Sequence, residues 1–193
     1  KTAYEITYGD WSSDVCSSDL AVNGGGIYVA VIQITGQGAG GWLAFNTGGG
    51  GWVQSSAPGA NWSSVVMSSD GHYRAAAAYG GGIWTSADYG ATWTQSSAPV
   101  AAWNAVASSS DGSRLAAVVW SGGIYTSTNF GATWTLTTAP VATWRAVASS
   151  ADGSHLVAGG SAYNNLYVST DFGATWTPYS PNGNLQIWTG FAS

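Results

Sequence analysis

"WNAVASSSDGSRLAAVVWSGGIYTSTNFGATWTLTTAPV", residues 103 to 141, is one full copy of the pattern that decides the fold of this chain. It reads as four short runs, "WNAVASS", "RLAAVVW", "IYTST" and "TWTLTT", separated by "SDGS", "SGG" and "NFGA". Runs of five to seven apolar or alternating residues, punctuated by Gly, Asp and Ser, are strand and hairpin signals; nothing recurs with a helical period.

The pattern recurs at a fixed interval. "WSSVVMSSDG" starts at Trp62, "WNAVASSSDG" at Trp103 and "WRAVASSADG" at Trp144, 41 residues apart each time. "SADYGATW" (86–93), "STNFGATW" (127–134) and "STDFGATW" (169–176) follow at intervals of 41 and 42, the extra residue falling in "GGSAYNNLY". Four antiparallel strands in about 41 residues is the size of one β-propeller blade. An isolated blade would leave both faces wet, so neighbours must stack on it.

The fold expectation is therefore all-β, an incomplete β-propeller of about four to five blades built from four-stranded antiparallel sheets. Three clear blades span 62–102, 103–143 and 144–187. "FNTGGGGWVQSSAPGANW" (45–62) matches residues 86–103 at the same offset, with Phe45 and Thr47 in place of Ser and Asp, so 21–61 reads as a degenerate blade. "WTGFAS" (188–193) repeats the start of a further one, and 21–193 reads as a propeller fragment. Residues 1–20 are a separate segment: "DWSSDVCSSDL" (10–20) shares nothing with the repeat and resembles the translation of a common short-read sequencing adapter. The expectation is that 1–20 is non-native, so neither Cys16 nor its three aspartates carry an argument about compartment or acidity.

The eight-residue element S-x-D-x-G-x-T-W resembles the Asp-box, or BNR repeat, found in β-propellers. It is carried by Ser86, Asp88, Gly90 and Trp93; by Ser127, Asn129, Gly131 and Trp134; and by Ser169, Asp171, Gly173 and Trp176. The resemblance covers residues 45–193 and implies the propeller fold. It implies no single activity, because the family includes sialidases, xyloglucan-active glycosidases, sortilin-like receptors, photosystem assembly factors and bacterial surface proteins. The residues have a physical reading of their own. An acid or amide at the start of a tight turn accepts backbone N–H groups, the Gly allows positive φ, the Thr suits a strand, and the Trp supplies apolar area between sheets. These residues are assigned structural roles in preference to metal or substrate binding. Asp70–Gly71, Asp111–Gly112 and Asp152–Gly153 read as hairpin turns, not Ca²⁺ loops, since no repeat gathers several carboxylates.

Composition narrows the function. Charged residues are 7% of the chain, and four basic against nine acidic residues give a net charge of −5. That leaves no Lys/Arg stripe for nucleic acid, and no apolar run is long enough for a helical membrane span. Of the nine acids, Glu5 stands alone, Asp10, Asp14 and Asp19 lie in the odd segment, and the rest occupy repeat turns. Glycoside hydrolysis generally takes a pair of carboxylates flanking the bond, and none is spare. The sialidase resemblance implies an arginine triad, yet Arg74, Arg114 and Arg145 fall at non-equivalent repeat positions. His72 and His155 each lack a nearby Cys or second His, so no metal site and no cofactor are expected.

Alternating strands put the first and third turns of each blade at one end, and the second turn and linker at the other. The second end varies between copies, with "YGGG", "WSGG" and "SAYNN". Tyr79, Trp120 and Tyr163 stand immediately before these loops, where flat rings either stack on a sugar, anchor a peptide or shield strand ends. They are the candidate ligand-binding residues. The leading expectation is a non-enzymatic, secreted or cell-surface bacterial scaffold that binds a glycan or protein on this variable loop face. Self-association through open blade edges is a second kind of partner. The alternatives are a fragment of a sialidase-like Asp-box glycoside hydrolase with its catalytic residues elsewhere, and a protein-assembly factor.

Overall fold

The computed structural model describes residues 28–32, 42–46, 53–160 and 166–179. The expectations for segment 1–20, for Tyr163 and for 188–193 lie outside the described residues. Every regular element among the described residues is a β-strand.

An N-terminal sheet holds β1 (Tyr28–Ile32), β2 (Trp42–Asn46) and β3 (Val53–Gln54) in antiparallel order. Three four-strand meanders follow. The first is β4 (Trp62–Met67), β5 (Arg74–Gly81), β6 (Ile83–Ser86) and β7 (Thr94–Gln95). The second is β8 (Ala101–Ser108), β9 (Leu115–Val119), β10 (Ile124–Ser127) and β11 (Thr135–Leu136). The third is β12 (Trp144–Ser149), β13 (Leu156–Gly160), β14 (Leu166–Ser169) and β15 (Thr177–Tyr179). Within each meander, strands consecutive in sequence pair antiparallel. The first strands β4, β8 and β12 pack on one another, so they form the inner edge of the array and the short fourth strands the outer edge.

The cores lie between successive sheets. Trp62, Trp103 and Trp144 are almost wholly buried, and each opens its meander and packs across to the sheet before it. Trp103 meets Ala77 and Ile83 of the previous meander; Trp144 meets Val118 and Ile124. The facing second strands are rich in alanine: Ala75 to Ala78 are all buried, as are Ala116 and Ala117. Small side chains on one sheet leave room for the indoles of the next, a large-against-small match that close packing favours.

Two details correct the expected geometry. The fourth strands β7 and β11 are only two residues long, so the chain leaves the sheet early, and the linker does not lie wholly at the second-turn end. Ser97 donates its N–H to Ala132 O in the next meander's third turn, and only then does the linker reach Ala101 and Ala102, which pair with Gly81 and Tyr79. In addition, each first strand carries a β-bulge immediately after its Trp, at Ser63, Asn104 and Arg145. A bulge re-aims the side chain it carries.

Candidate functional site

At the first-turn end, each repeat folds two interlocked turns. In the third turn of the first meander, the Ser86 hydroxyl donates to Asp88 Oδ1 at 2.7 Å and accepts the Gly90 N–H at 2.8 Å. Asp88 Oδ1 also accepts the Thr92 N–H at 2.9 Å, and Oδ2 accepts the Thr92 hydroxyl at 2.6 Å. The Trp93 indole N–H closes on Gly90 O at 3.1 Å. The same network recurs at Ser169, Asp171, Gly173, Thr175 and Trp176. At Asn129 the polarity of one bond reverses: Nδ2 donates to the Thr133 hydroxyl, while Ser127 and the Thr133 N–H still bond Oδ1, and Trp134 still reaches Gly131 O. The threonines are thus turn ligands, not strand fillers as sequence reasoning had them.

These bonds hold the carboxylates in their charged form. Asp88 is brought down to about 2, chiefly by the Thr92 hydroxyl and N–H and then by Ser86. Asp171 is lowered likewise to about 2 by Thr175 and Ser169. In the first turns, Asp70, Asp111 and Asp152 are lowered by the hydroxyls of Ser68, Ser109 and Ser150 and by backbone N–H groups of His72, Ser113 and Ser154. The residue before the third-turn Gly adopts φ of 58° at Tyr89, 59° at Phe130 and 60° at Phe172. Together with Gly90 at 83° and the Ala91 N–H bonding Asp88 O, this is a type I′ hairpin turn with an aromatic ring at its first central position. Sequence reasoning missed that role; its only trace was an aromatic at the same place in all three copies. A backbone bond ties the two turns of each repeat, from Tyr89 N–H to His72 O, Phe130 N–H to Ser113 O, and Phe172 N–H to Ser154 O.

The rings also bridge meanders. Phe130 stacks on Tyr73 of the preceding meander with centroids 4.1 Å apart, and Arg114 lies over Phe172, its Cζ 3.8 Å from the centroid. Arg74, 2% exposed, donates from Nε to Gly71 O, and burial lowers its pKa. Arg74 and Arg114 are therefore committed to local structure at this end. His155 is exposed and its Nδ1 lies 2.8 Å from the Ser154 hydroxyl. No group of three or more His, Cys, Asp or Glu suited to a metal ion occurs among the described residues.

The second-turn end is different. Tyr79 is 46% exposed, and its N–H donates to Asn61 O at 2.8 Å; the Trp120 N–H donates to Ala102 O at the same distance. These two candidate residues therefore occupy matching places in successive meanders. Trp120 is half-buried, because the Arg145 guanidinium covers one face of its ring, with Cζ 4.5 Å from the centroid. Asn104, the bulge residue of the sheet that carries Trp120, donates from Nδ2 to the carbonyls of Trp144 and Arg145, both at 3.1 Å. Nothing in the repeat pattern pairs Arg145 with Trp120, because the bulge that aims the arginine is invisible in the residue pattern.

No family model matches this sequence, and no curated protein matches it. Solved structures do. An ancestral GH74 enzyme superposes with a TM-score of 0.55 at 14% identity, over 79% of this chain and 24% of the enzyme. YCF48 bound to D1 peptide gives 0.59 at 15% identity, over 89% of this chain and 64% of YCF48. The computationally designed Ika8 protein gives 0.63 at 11% identity, over 84% of this chain and 53% of Ika8. The chain thus spans about a quarter of the length of the GH74 enzyme and just under two thirds of YCF48. At these identities the likeness shows the fold: stacked four-stranded sheets of a β-propeller.

Proposed function

We propose that this chain belongs to a non-enzymatic, secreted or cell-surface propeller scaffold of the Asp-box type, which holds a glycan or protein ligand at its second-turn end. The observation that carries the reading is the division of labour between the ends. Every aspartate among the described residues is engaged in a turn at the first-turn end, hydrogen-bonded and lowered in pKa, so none is held protonated as a general acid. The second-turn end carries aromatic rings beside loops that differ from copy to copy, the surface chemistry that suits recognition. The extracellular or cell-surface placement in a bacterium rests on the Asp-box resemblance alone.

A second reading has its own support. GH74 enzymes are among the structural neighbours and are about four times longer than the part this chain covers, so a glycoside hydrolase with its catalytic residues in other blades fits the same fold. A role as a protein-assembly factor draws on YCF48, whose structure holds a D1 peptide. The complete gene product, screened on glycan and peptide arrays and assayed for xyloglucan and sialoside hydrolysis, separates these readings. Binding without turnover supports the scaffold, turnover replaces it with the hydrolase, and peptide binding alone favours the assembly factor.

A further inference from the structure

The Trp120 and Arg145 pair specifies the ligand chemistry more closely than the fold does. Arg145 is a bulge residue on β12, and its guanidinium lies over the Trp120 ring of the preceding meander, with Cζ 4.5 Å from the centroid. Its Nε is buried with no hydrogen-bond partner, and among the described residues no hydrogen bond engages Nη1 or Nη2. The two Nη groups are therefore left available to a ligand on a half-buried side chain that the Trp120 ring supports. Asn104 holds the backbone beneath it through the Trp144 and Arg145 carbonyls. No carboxylate among the described residues competes for these donors. Asp70, Asp88, Asp111, Asp152 and Asp171 all lie in first and third turns at the opposite end, as do Arg74 and Arg114, so Arg145 is the one cation at the second-turn end among the described residues.

We infer that Arg145 and Trp120 form a subsite for a carboxylate-bearing sugar, a hexuronic acid residue within a polysaccharide. The inference rests on the binding role proposed for this end. A planar carboxylate matches the paired Nη donors, and charge-assisted bonds of this kind are stronger than neutral ones. Trp120, half-buried, offers apolar surface beside them for the C–H groups of a pyranose ring. A lone arginine suits one uronate at a time, so affinity grows when neighbouring residues of the polymer contact Tyr79 on the adjacent sheet.

The test is isothermal titration of the complete protein with a galacturonic acid oligomer, its methyl ester, a neutral xylo-oligosaccharide of equal length, and a glutamate-rich peptide. The expected result is binding of the acid oligomer, about ten- to hundredfold weaker binding of the methyl ester, and the same loss in Arg145→Met. Arg145→Lys, which keeps charge but not the fork, recovers only part of it, and raised salt weakens the wild type. Thermal unfolding of each variant shows that the fold survives. Equal binding of acid and ester, an unaffected Arg145→Met, no binding of the acid oligomer, or preference for the peptide each overturns the uronate assignment. If the ester or neutral oligomer binds and Trp120→Ala abolishes it, the uronate falls while the binding face stands; indifference to both variants removes the face as well.

Discussion

The Arg114 guanidinium carbon stands 3.8 Å from the centre of the Phe172 ring, and the two residues belong to successive sheets. Tyr73 and Phe130 make the equivalent contact one repeat earlier, as two stacked rings. These pairs fasten neighbouring sheets at the first-turn end, where the type I′ turns project their aromatic residues. A double-mutant cycle with Arg114→Ala and Phe172→Leu, read by urea unfolding, is expected to give a coupling of about 0.5–1 kcal/mol. Strict additivity would mean that the contact holds nothing together.

Acid stability follows from the turn aspartates. Their folded pKa values lie below the unfolded value of about 3.9, so their contribution is present in full above about pH 4. It is lost as pH falls through the folded value, about 2 for Asp88 and Asp171. The melting temperature is therefore expected to drop between roughly pH 4 and 2. Asp88→Asn removes one share of that slope while keeping the fold at neutral pH, since Asn129 already fills the same place with a full set of bonds. An unchanged slope in Asp88→Asn, measured by thermal melts across that range, would contradict the assignment.

Glycine positions separate backbone strain from crowding. Gly80 has φ of 74° with nothing within 4 Å of an added Cβ, so Gly80→Ala is expected to cost about 1 kcal/mol from strain alone. At Gly131, φ is 81° and the Cβ would stand 2.7 Å from Thr85 Cγ2 on the preceding sheet and 2.8 Å from Leu115 Cδ1 on its own sheet. Gly131→Ala is expected to cost about 1–3 kcal/mol more than Gly80→Ala, because the added methyl overpacks against two side chains that must shift to admit it. Chemical denaturation of the two variants provides the comparison.

The opening tryptophans differ in one bond. Trp103 donates its indole N–H to Pro99 O at 3.1 Å, whereas the buried Trp144 Nε1 has no partner. Trp103→Phe is therefore expected to destabilise by about 1 kcal/mol more than Trp144→Phe, since the second change also removes an unsatisfied donor. Equal losses would show that packing volume alone decides both.

The strand order was legible because one physical signal repeats: a large indole, a short alternating run and a Gly-containing turn recur every 41 residues. The two ends of the sheets were legible too, since antiparallel strands place alternate turns together, and the bond from Tyr89 to His72 and the pairing of Ala102 with Tyr79 follow that rule. What escaped depends on backbone dihedrals and register. Positive φ at Tyr89, Phe130 and Phe172 cannot be inferred from residue type, because aromatic side chains rarely adopt it. The bulges at Ser63, Asn104 and Arg145 shift the register by one residue inside strands whose pattern looks regular, and so the Arg145 and Trp120 contact stayed hidden.

The central claim is that ligands engage the second-turn end and leave the aspartate turns to hold the fold. Hydrogen exchange of the complete protein, with and without the ligand found on the arrays, tests it most directly. The account predicts protection in residues 79–82, 120–123 and 144–145, with the turns at 70–73, 88–91 and 111–114 unchanged. Protection confined to those aspartate turns would contradict it.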